Sequence, residues 1–405
     1  MPATEFDSGH KRYRTGTHRN RAPSETVAHV GRLAGALGIT RVANVTGLDS
    51  IGIPVVMVCR PNARSLAVAQ GKGVTLDAAK ASGLMESVEF YHAERISAPV
   101  RFGRYSDLQY RFRMADVATL AREEGSEFDV NARSLWIESR DLLSGESVWL
   151  PLELMSLDVT RPTLPGGGCF ITSSSGLASG NTWSEAVTHA VCEVLERDAL
   201  LRFENAEPAS RNRSRIRLAT IDDAHCVSLL ERFEKADVAV AVWDTTGPSG
   251  IASFTCSIVG REGRPHDAAS GVINGMGCHL DRGVALSRAL TEAAQCRLTL
   301  ISGARDDLWR AKFARASDAE RIARERADIE NVTAMRAFGD VPTGGSDDLD
   351  SDAQLVVQLA AAAGFSEVLV VDHSIPEFGL AVVHVVIPGA FSLAPKHHSH
   401  EIKPT

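Results

Sequence analysis

The amino-acid sequence predicts a mixed α/β protein, and three observations carry the prediction. Segments with helical periodicity alternate along the chain with short apolar runs of β character, the order of a mixed fold rather than of a helical bundle. One of those runs, Ile53 to Cys59 (IPVVMVC), is continuously apolar, which suits a strand in a sheet interior. With 405 residues, 44% of them hydrophobic, the chain can bury a large core as a single multi-lobed domain.

Taken in order, the first nine residues read as mobile and His10 to Arg21 (HKRYRTGTHRNR) is a basic cluster, so residues 1–22 form a basic arm, solvated or facing a nucleotide. Pro23-Ser24-Glu25-Thr26 opens a helix that Gly38 stops after Leu37. Arg41 to Asn44 and Ile53 to Cys59 read as strands around the turn Thr46-Gly47-Leu48-Asp49. Arg60 to Val74 reads as loop, and its Gly71-Lys72-Gly73 lacks the spacing of a phosphate-binding Walker loop. A helix over Leu76 to Ile96 follows, then a shorter one over Arg113 to Glu127. Ser134 to Ile137 and Val148 to Leu152 suggest a hairpin about Ser144-Gly145-Glu146.

A glycine and serine loop from Pro165 runs into a helix that reaches past Asp198. An arginine-rich connection (Arg211, Arg213, Arg215, Arg217) leads to a helix over Ile221 to Lys235, then to strands over Val238 to Trp243, Ser253 to Val259 and Ala268 to Ile273. Val284 to Ile301 is helical, and Asp306 to Asn331 is charge-dense, exposed helix. Val341 to Asp352 (VPTGGSDDLDSD) reads as an acidic, disordered loop, ahead of strands at Glu367 to Val371 and Leu380 to Ile387. No internal sequence repeat and no interdomain linker is legible, so residues 23–395 are expected to form one catalytic domain, with 396–405 a polar tail.

Charge and cysteine usage narrow the classes. A net charge of −8 suggests neither duplex nucleic acid nor an anionic membrane as partner. Seven cysteines without a C-x-x-C pair point to a reduced, cytoplasmic setting and away from a disulfide scaffold. No run of about 18 apolar residues suggests a membrane span.

Chemistry concentrates on three helices. In the helix opened by Thr182, with Glu185 reaching back as a capping box, Ala186, Val187, Ala190, Val191, Val194 and Leu195 share one side. Glu185, His189, Glu193 and Glu196 share the other, a stripe that by itself would be a solvated face. Leu76 to Glu94 carries Glu86 and Glu89 one turn apart, and Val284 to Ile301 aligns Arg288, Glu292 and Gln295. Converging stripes would crowd about half a dozen carboxylates, a repulsion that Mg²⁺ ions shared with nucleotide phosphates would relieve. The glycine-rich loop at a helix start offers backbone N–H groups to such phosphates.

Ser175-Gly176-Leu177-Ala178-Ser179-Gly180-Asn181 with Glu185 and Glu193-x-x-Glu196-Arg197-Asp198 resembles the central motif of YcaO proteins, ATP-dependent enzymes that modify peptide backbone amides. Gly71-Lys72-Gly73 with Ala81-Ser82-x-x-x-Glu86-x-x-Glu89, and Arg288 to Arg297, resemble the flanking motifs, so the likeness spans about residues 65 to 390. It implies a YcaO-like fold, ATP and Mg²⁺ as cofactors, and a peptide or protein substrate. Glu86, Glu89, Glu193, Glu196 and Glu292 correspond to the metal ligands, and Asn181, Glu185, Arg197 and Arg288 to nucleotide contacts. Arg19 and Thr26 have the spacing of an N-terminal ATP-touching pair, Lys72 and Glu292 join the ATP set, and Glu193, Glu196 and Arg197 form the catalytic set. Phe90 stands where the family's first motif usually has arginine. A homodimer is the family-based expectation.

Azoline-forming members commonly end in a proline-rich tail that SLAPKHHSHEIKPT lacks, whereas Gly38 to Arg41 through Thr46 to Asp49 and Gly52 to Val55 resemble the subgroup encoded beside TfuA proteins. The resemblance therefore implies thioamide formation with sulfide from a TfuA-like partner, with azoline-forming cyclodehydration as the alternative. Glu89-Phe90-Tyr91-His92 leaves a carboxylate-bridged di-iron oxidase as a rival, but Glu193-Val194-Leu195-Glu196 lacks the second histidine it needs. A non-catalytic peptide-binding protein is the other rival. His189 is expected to be a hydrogen-bonded neighbour of the acids, Cys169 and Cys192 structural thiols, and His397, His398 and His400 bystanders in the tail.

Overall fold

A computed structural model describes residues 9–261, 271–305, 307 and 318–390. The tail histidines and the strand expected from Ala268 fall wholly or mostly outside that range. Three antiparallel sheets form the frame. The first joins β1 (Arg41–Asn44), β2 (Val55–Cys59) and β3 (Val68–Lys72), with Val56 opposite Gly71 and Val55 opposite Lys72. It is covered by α2 (Leu76–Ala93), which in turn packs on α1 (Pro23–Leu37), closed by Gly38 in the left-handed region. Val30, Leu37, Val58, Leu84 and Val88 are the buried core of this layer.

The second and largest sheet contains β4 (Val100–Arg104), which leads into the short helix α3 (Tyr105–Leu108), together with β5 (Arg133–Asp141), β6 (Ser147–Pro151) and β7 (Leu177–Gly180). On it lies α4 (Trp183–Asn205), followed by α5 (Pro208–Arg213) and α6 (Ala224–Lys235). The third sheet consists of β8 (Val238–Asp244), β9 (Ser253–Gly260) and β10 (Ile273–Cys278), covered by α7 (Arg282–Ser302). The chain continues through α8 (Ala319–Asn331) and α9 (Leu349–Ala362), which packs on α4, and returns β11 (Leu369–Asp372) and β12 (Ala381–Val386) to the second sheet beside β7.

One local design occurs three times: β3 leads to α2, β7 to α4 and β10 to α7. Each helix is capped by a side-chain oxygen, from Thr75, Thr182 and Asp281 respectively. Each strand meets its helix through a glycine with no space for a side chain. A Cβ on Gly71 would lie 2.0 Å from Ala79 O, one on Gly275 2.2 Å from Ala289 O, and one on Gly180 2.6 Å from Thr182 O. Backbone against backbone at these points draws the three acid-bearing helices to the middle of the molecule.

Several expectations are corrected. Val68–Lys72 is a strand rather than loop, because its register on β2 buries Ala69, Gln70 and Gly71. The segment expected as helix over Arg113 to Glu127 is mostly irregular: Trp149 N donates to Arg113 O and Ala115 N to Trp149 O, which holds it along β6. The acidic stretch 341–352 is ordered by its own carboxylates. Asp348 caps α9, and Asp352, 1% exposed, pairs with the buried Lys11 ammonium. Arg14 meets Asp347 at 2.6 Å, so the basic arm and the acidic loop complete each other.

All seven cysteines are free. Among the described residues no helix is long and apolar enough to cross a membrane.

Candidate active site

The three helices converge on a cleft of about 680 Å³. Arg19, Thr26, Lys72, Glu86, Glu89, Asn181, Glu185, Glu193, Glu196, Arg197, Arg288 and Glu292, every site residue expected from the sequence, line it together. The acidic stripes are therefore not solvated faces: Glu185 is 1% and Glu196 6% exposed.

Backbone donors fix most of the acids. Glu86 accepts from Gln70 N at 2.6 Å, and Glu89 from the backbone N and the Oγ of Ser179, both at 2.8 Å. Glu185 closes the cap of α4 one residue away from the expected place. Its Oε2 takes Asn181 N at 2.8 Å, while its Oε1 takes Asn20 N at 2.5 Å, so it clasps the arm to the helix start. Thr26 Oγ1 donates to Asn181 Oδ1 at 3.0 Å, tying α1 to the same corner.

Charge in the cleft is balanced only in part. Lys72 Nζ lies 2.5 Å from Glu292 Oε2, and although burial works against both ions, their attraction raises Lys72 and lowers Glu292. Arg197 Nη2 lies 3.0 Å from Glu193 Oε1, yet burial still leaves Glu193 raised. Burial pushes Glu86 to about 7, Glu89 to about 8 and Glu196 to about 8, the last also opposed by Glu292. Glu196 Oε2 is buried without any partner among the described residues. Arg288 Nη2 approaches His189 Nε2 at 2.6 Å, and burial together with the cations Arg288, Arg19 and Lys72 keeps that imidazole neutral. The hydrogen-bond partner of His189 is thus Arg288 rather than one of the acids.

Cations would fit this donor set. Among the described residues no three acids, histidines or cysteines make a self-sufficient metal site. Mg²⁺ ordinarily takes one or two protein carboxylates and completes its shell with phosphate oxygens and water, and the unanswered Glu196 oxygen, in a cleft that Glu193, Glu86 and Glu89 also line, offers that kind of partial shell. Arg197, Arg288 and Lys72 line the same cleft, and their positive charge would complement phosphate oxygens there.

The cleft also has walls the motifs did not mark. Thr15, Gly16 and Thr17 of the arm, Gln70, Met276 and Arg305 all line it. Gln70 directly precedes Gly71-Lys72-Gly73, a triplet that on its own reads as a turn with a solvated lysine; the strand assignment is what turns these residues inward. Cys192 is buried and hydrogen-bonded to Cys278, as a structural thiol would be, whereas Cys296 reaches the cleft.

Comparison with known proteins agrees with this geometry. The family model described as YcaO cyclodehydratase, ATP- and Mg²⁺-binding, matches residues 70–391. A protein of Rhizobium leguminosarum bv. trifolii, known as an uncharacterized protein in the tfuA 3′ region, is 35% identical over 371 residues, covering 91% of this chain and 87% of that protein. The chain therefore belongs to the YcaO family, whose described cofactors are the ATP and Mg²⁺ expected from the sequence. Two solved structures share the fold. One is YcaO from Methanopyrus kandleri bound with AMPPCP and Mg²⁺, at TM-score 0.74 and 21% identity, with 94% of each chain covered. The other is a heterocyclase in complex with substrate and cofactor, at TM-score 0.78 and 24% identity. The match covers 96% of this chain but 54% of that one, so this chain spans about half the length of the heterocyclase.

Proposed function

We propose that the protein uses ATP and Mg²⁺ to activate a peptide backbone amide, and that it makes a thioamide with external sulfide delivered by a TfuA-like partner. The observation that carries the reading is the set of carboxylates gathered in one cleft, with a buried oxygen of Glu196 that no described residue answers, a donor set that a cation would complete. The relative named for the tfuA 3′ region supports the sulfur-delivering partner.

In this reading Glu86, Glu89, Glu193 and Glu196 hold the cation, with Glu292 beside them. Bound Mg²⁺ supplies neutralisation of the phosphate charge. Arg19, Thr26, Asn181, Glu185 and Arg288 orient the nucleotide, and Lys72 and Arg197 face the charge that builds up during transfer. Sulfide adds to the amide carbon, and the carbonyl oxygen, now carrying the negative charge, takes the terminal phosphoryl group from ATP. The C–O bond then breaks, the oxygen departs as phosphate, and the nitrogen keeps its hydrogen. The balance is amide plus hydrogen sulfide plus ATP giving thioamide, ADP and phosphate.

Azoline formation is the second reading, favoured by the cyclodehydratase description of the family model. There a Cys, Ser or Thr side chain of the peptide replaces sulfide as nucleophile. Incubating the enzyme with ATP, Mg²⁺, sulfide and a randomised hexapeptide library, acetylated and amidated at its ends, separates the two by mass. Replacement of oxygen by sulfur, dependent on ATP and absent in Glu196→Gln, is the expected product. Loss of water alone would establish the second reading, and no ATP-dependent product would refute both.

A further inference from the structure

Two carboxamides in the cleft hold buried polar atoms that none of the described residues answers. Gln70 is 2% exposed; its backbone N–H is committed to Glu86 and its Oε1 lies 2.6 Å from Thr299 Oγ1, while Nε2 is buried with no partner among the described residues. Gln295 presents the complementary case, with a buried Oε1 that likewise lacks a partner among the described residues. Thr299 Oγ1 also lies 2.8 Å from Gln295 O, so both glutamines belong to one wall, and both line the cleft. A buried donor or acceptor left unpaired is costly, so a ligand that answers both gains their satisfaction.

The helices themselves set Gln295 apart. α2 carries Glu86-x-x-Glu89 and α4 carries Glu193-x-x-Glu196, but α7 carries Glu292-x-x-Gln295. At the same helical offset the third helix replaces an acid by a neutral group that can bind a neutral partner. A peptide backbone amide is such a partner, presenting one N–H and one carbonyl oxygen.

Position distinguishes the amide from the base of the nucleotide. The amide oxygen must reach the terminal phosphate, so whatever binds the amide stands beside the cation-holding acids. Gln70 donates its backbone N–H to Glu86, and Gln295 follows Glu292 by less than one turn. A base lies a ribose and two phosphates further away. Arg305, acting on both Glu86 and Cys296, and Lys72, paired with Glu292, make this corner charged rather than an apolar slot for a purine.

We propose that Gln70 and Gln295 bind the backbone amide that is modified, Gln70 Nε2 donating to its carbonyl oxygen and Gln295 Oε1 accepting from its N–H. The assignment rests on the amide-activating reading of the cleft. The donor from Gln70 also favours the negative oxygen that forms when a nucleophile adds.

The test takes the full chain with Mg²⁺ and a non-hydrolysable ATP analogue, and uses N-acetylglycine N-methylamide as the probe in saturation-transfer NMR. Wild type is expected to bind the probe, and Gln70→Leu and Gln295→Leu each to weaken it about tenfold, as for one hydrogen bond lost from a buried partner. Nucleotide affinity, read by calorimetry on the same samples, is expected to stay within about twofold. Equal binding of the probe by wild type and both variants overturns the assignment, as does failure of wild type to bind it. Loss of nucleotide affinity in Gln295→Leu also overturns it and gives the pair to the base. Gln295→Leu leaves the Gln70–Thr299 contact in place, so it remains readable if Gln70→Leu does not fold. Turnover with the peptide library keeps the two ideas apart: a wild type that binds the probe but modifies no amide refutes the function and leaves the amide site standing.

Discussion

Replacing Glu196 by glutamine should stabilise the metal-free protein at alkaline pH while abolishing its chemistry. Burial holds the Glu196 carboxyl at about 8, against 4.5 for the unburied group. The folded state therefore binds a proton more tightly than the unfolded one, and stability is full below about pH 4.5 and lost as pH rises through 8. At about 1.4 kcal/mol per pH unit the ionised fold loses about 5 kcal/mol at most, which water entering the open cleft reduces to on the order of 2 kcal/mol. Glutamine keeps the shape and carries no charge, so it escapes that loss. Urea unfolding in EDTA at pH 5 and pH 8.5 is the assay. The variant should match wild type at the lower pH and exceed it by about 2 kcal/mol at the higher. A variant less stable than wild type at pH 8.5, or a difference independent of pH, would refute the charge argument.

Mg²⁺ should raise the melting temperature of wild type more at pH 8 than at pH 5, since ions compete with protons for Glu86, Glu89 and Glu196, and Glu196→Gln should respond less; thermal scans with and without the ion check this. Lys11→Met strands the buried Asp352 carboxylate and should cost about 3–5 kcal/mol in denaturant unfolding, most of it recovered in Lys11→Met/Asp352→Asn. Arg14→Ser breaks an exposed pair, with Asp347 90% accessible, and should change stability by less than about 1 kcal/mol. Gly275→Ala forces a methyl group into the backbone of α7 and should cost more than about 3 kcal/mol, measured the same way.

The parts of the fold that sequence reading reached are those whose signal is local. The helix from Trp183 was legible because an apolar stripe and a capping box mark it, the helix from Arg282 because Arg288, Glu292 and Gln295 share one stripe, and the hairpin of β5 and β6 because a turn separates two apolar runs. Val68–Lys72 and Leu177–Gly180 were not, since five- and four-residue strands in which Gly, Ala, Ser and Gln predominate have little β propensity and owe their state to neighbours. Leu349–Ala362 carries a clear apolar side through Leu349, Ala353, Val356, Val357 and Ala360, but the aspartates at its start mimic a disordered acidic run. Their purpose appears only with the arm folded back, when Lys11 reaches Asp352.

The candidate site was more legible than the fold. Acids spaced three and four residues apart on helices can be read without knowing where the helices go. What stayed hidden were groups defined by strand pairing or by distant contacts: Gln70 facing inward from β3, Ser179 answering Glu89, and the double use of Glu185 by Asn181 and Asn20. None of these leaves a periodic trace.

A Cβ at Gly71, Gly180 or Gly275 would strike main chain, so the offset from each strand to its helix is set without any side chain. The acids ride on three struts whose offset is held by main chain against main chain. A frame of that kind is a caliper locked at one opening, suited to a cargo that never changes, such as a polyphosphate with its ions. Accommodation of peptides that do change falls to the rim, where Thr15 to Thr17 and Thr172 to Ser174 border the cleft outside the three acid-bearing helices. Divergence in what such proteins modify is therefore to be sought at the rim, while the gauge beneath it stays the same.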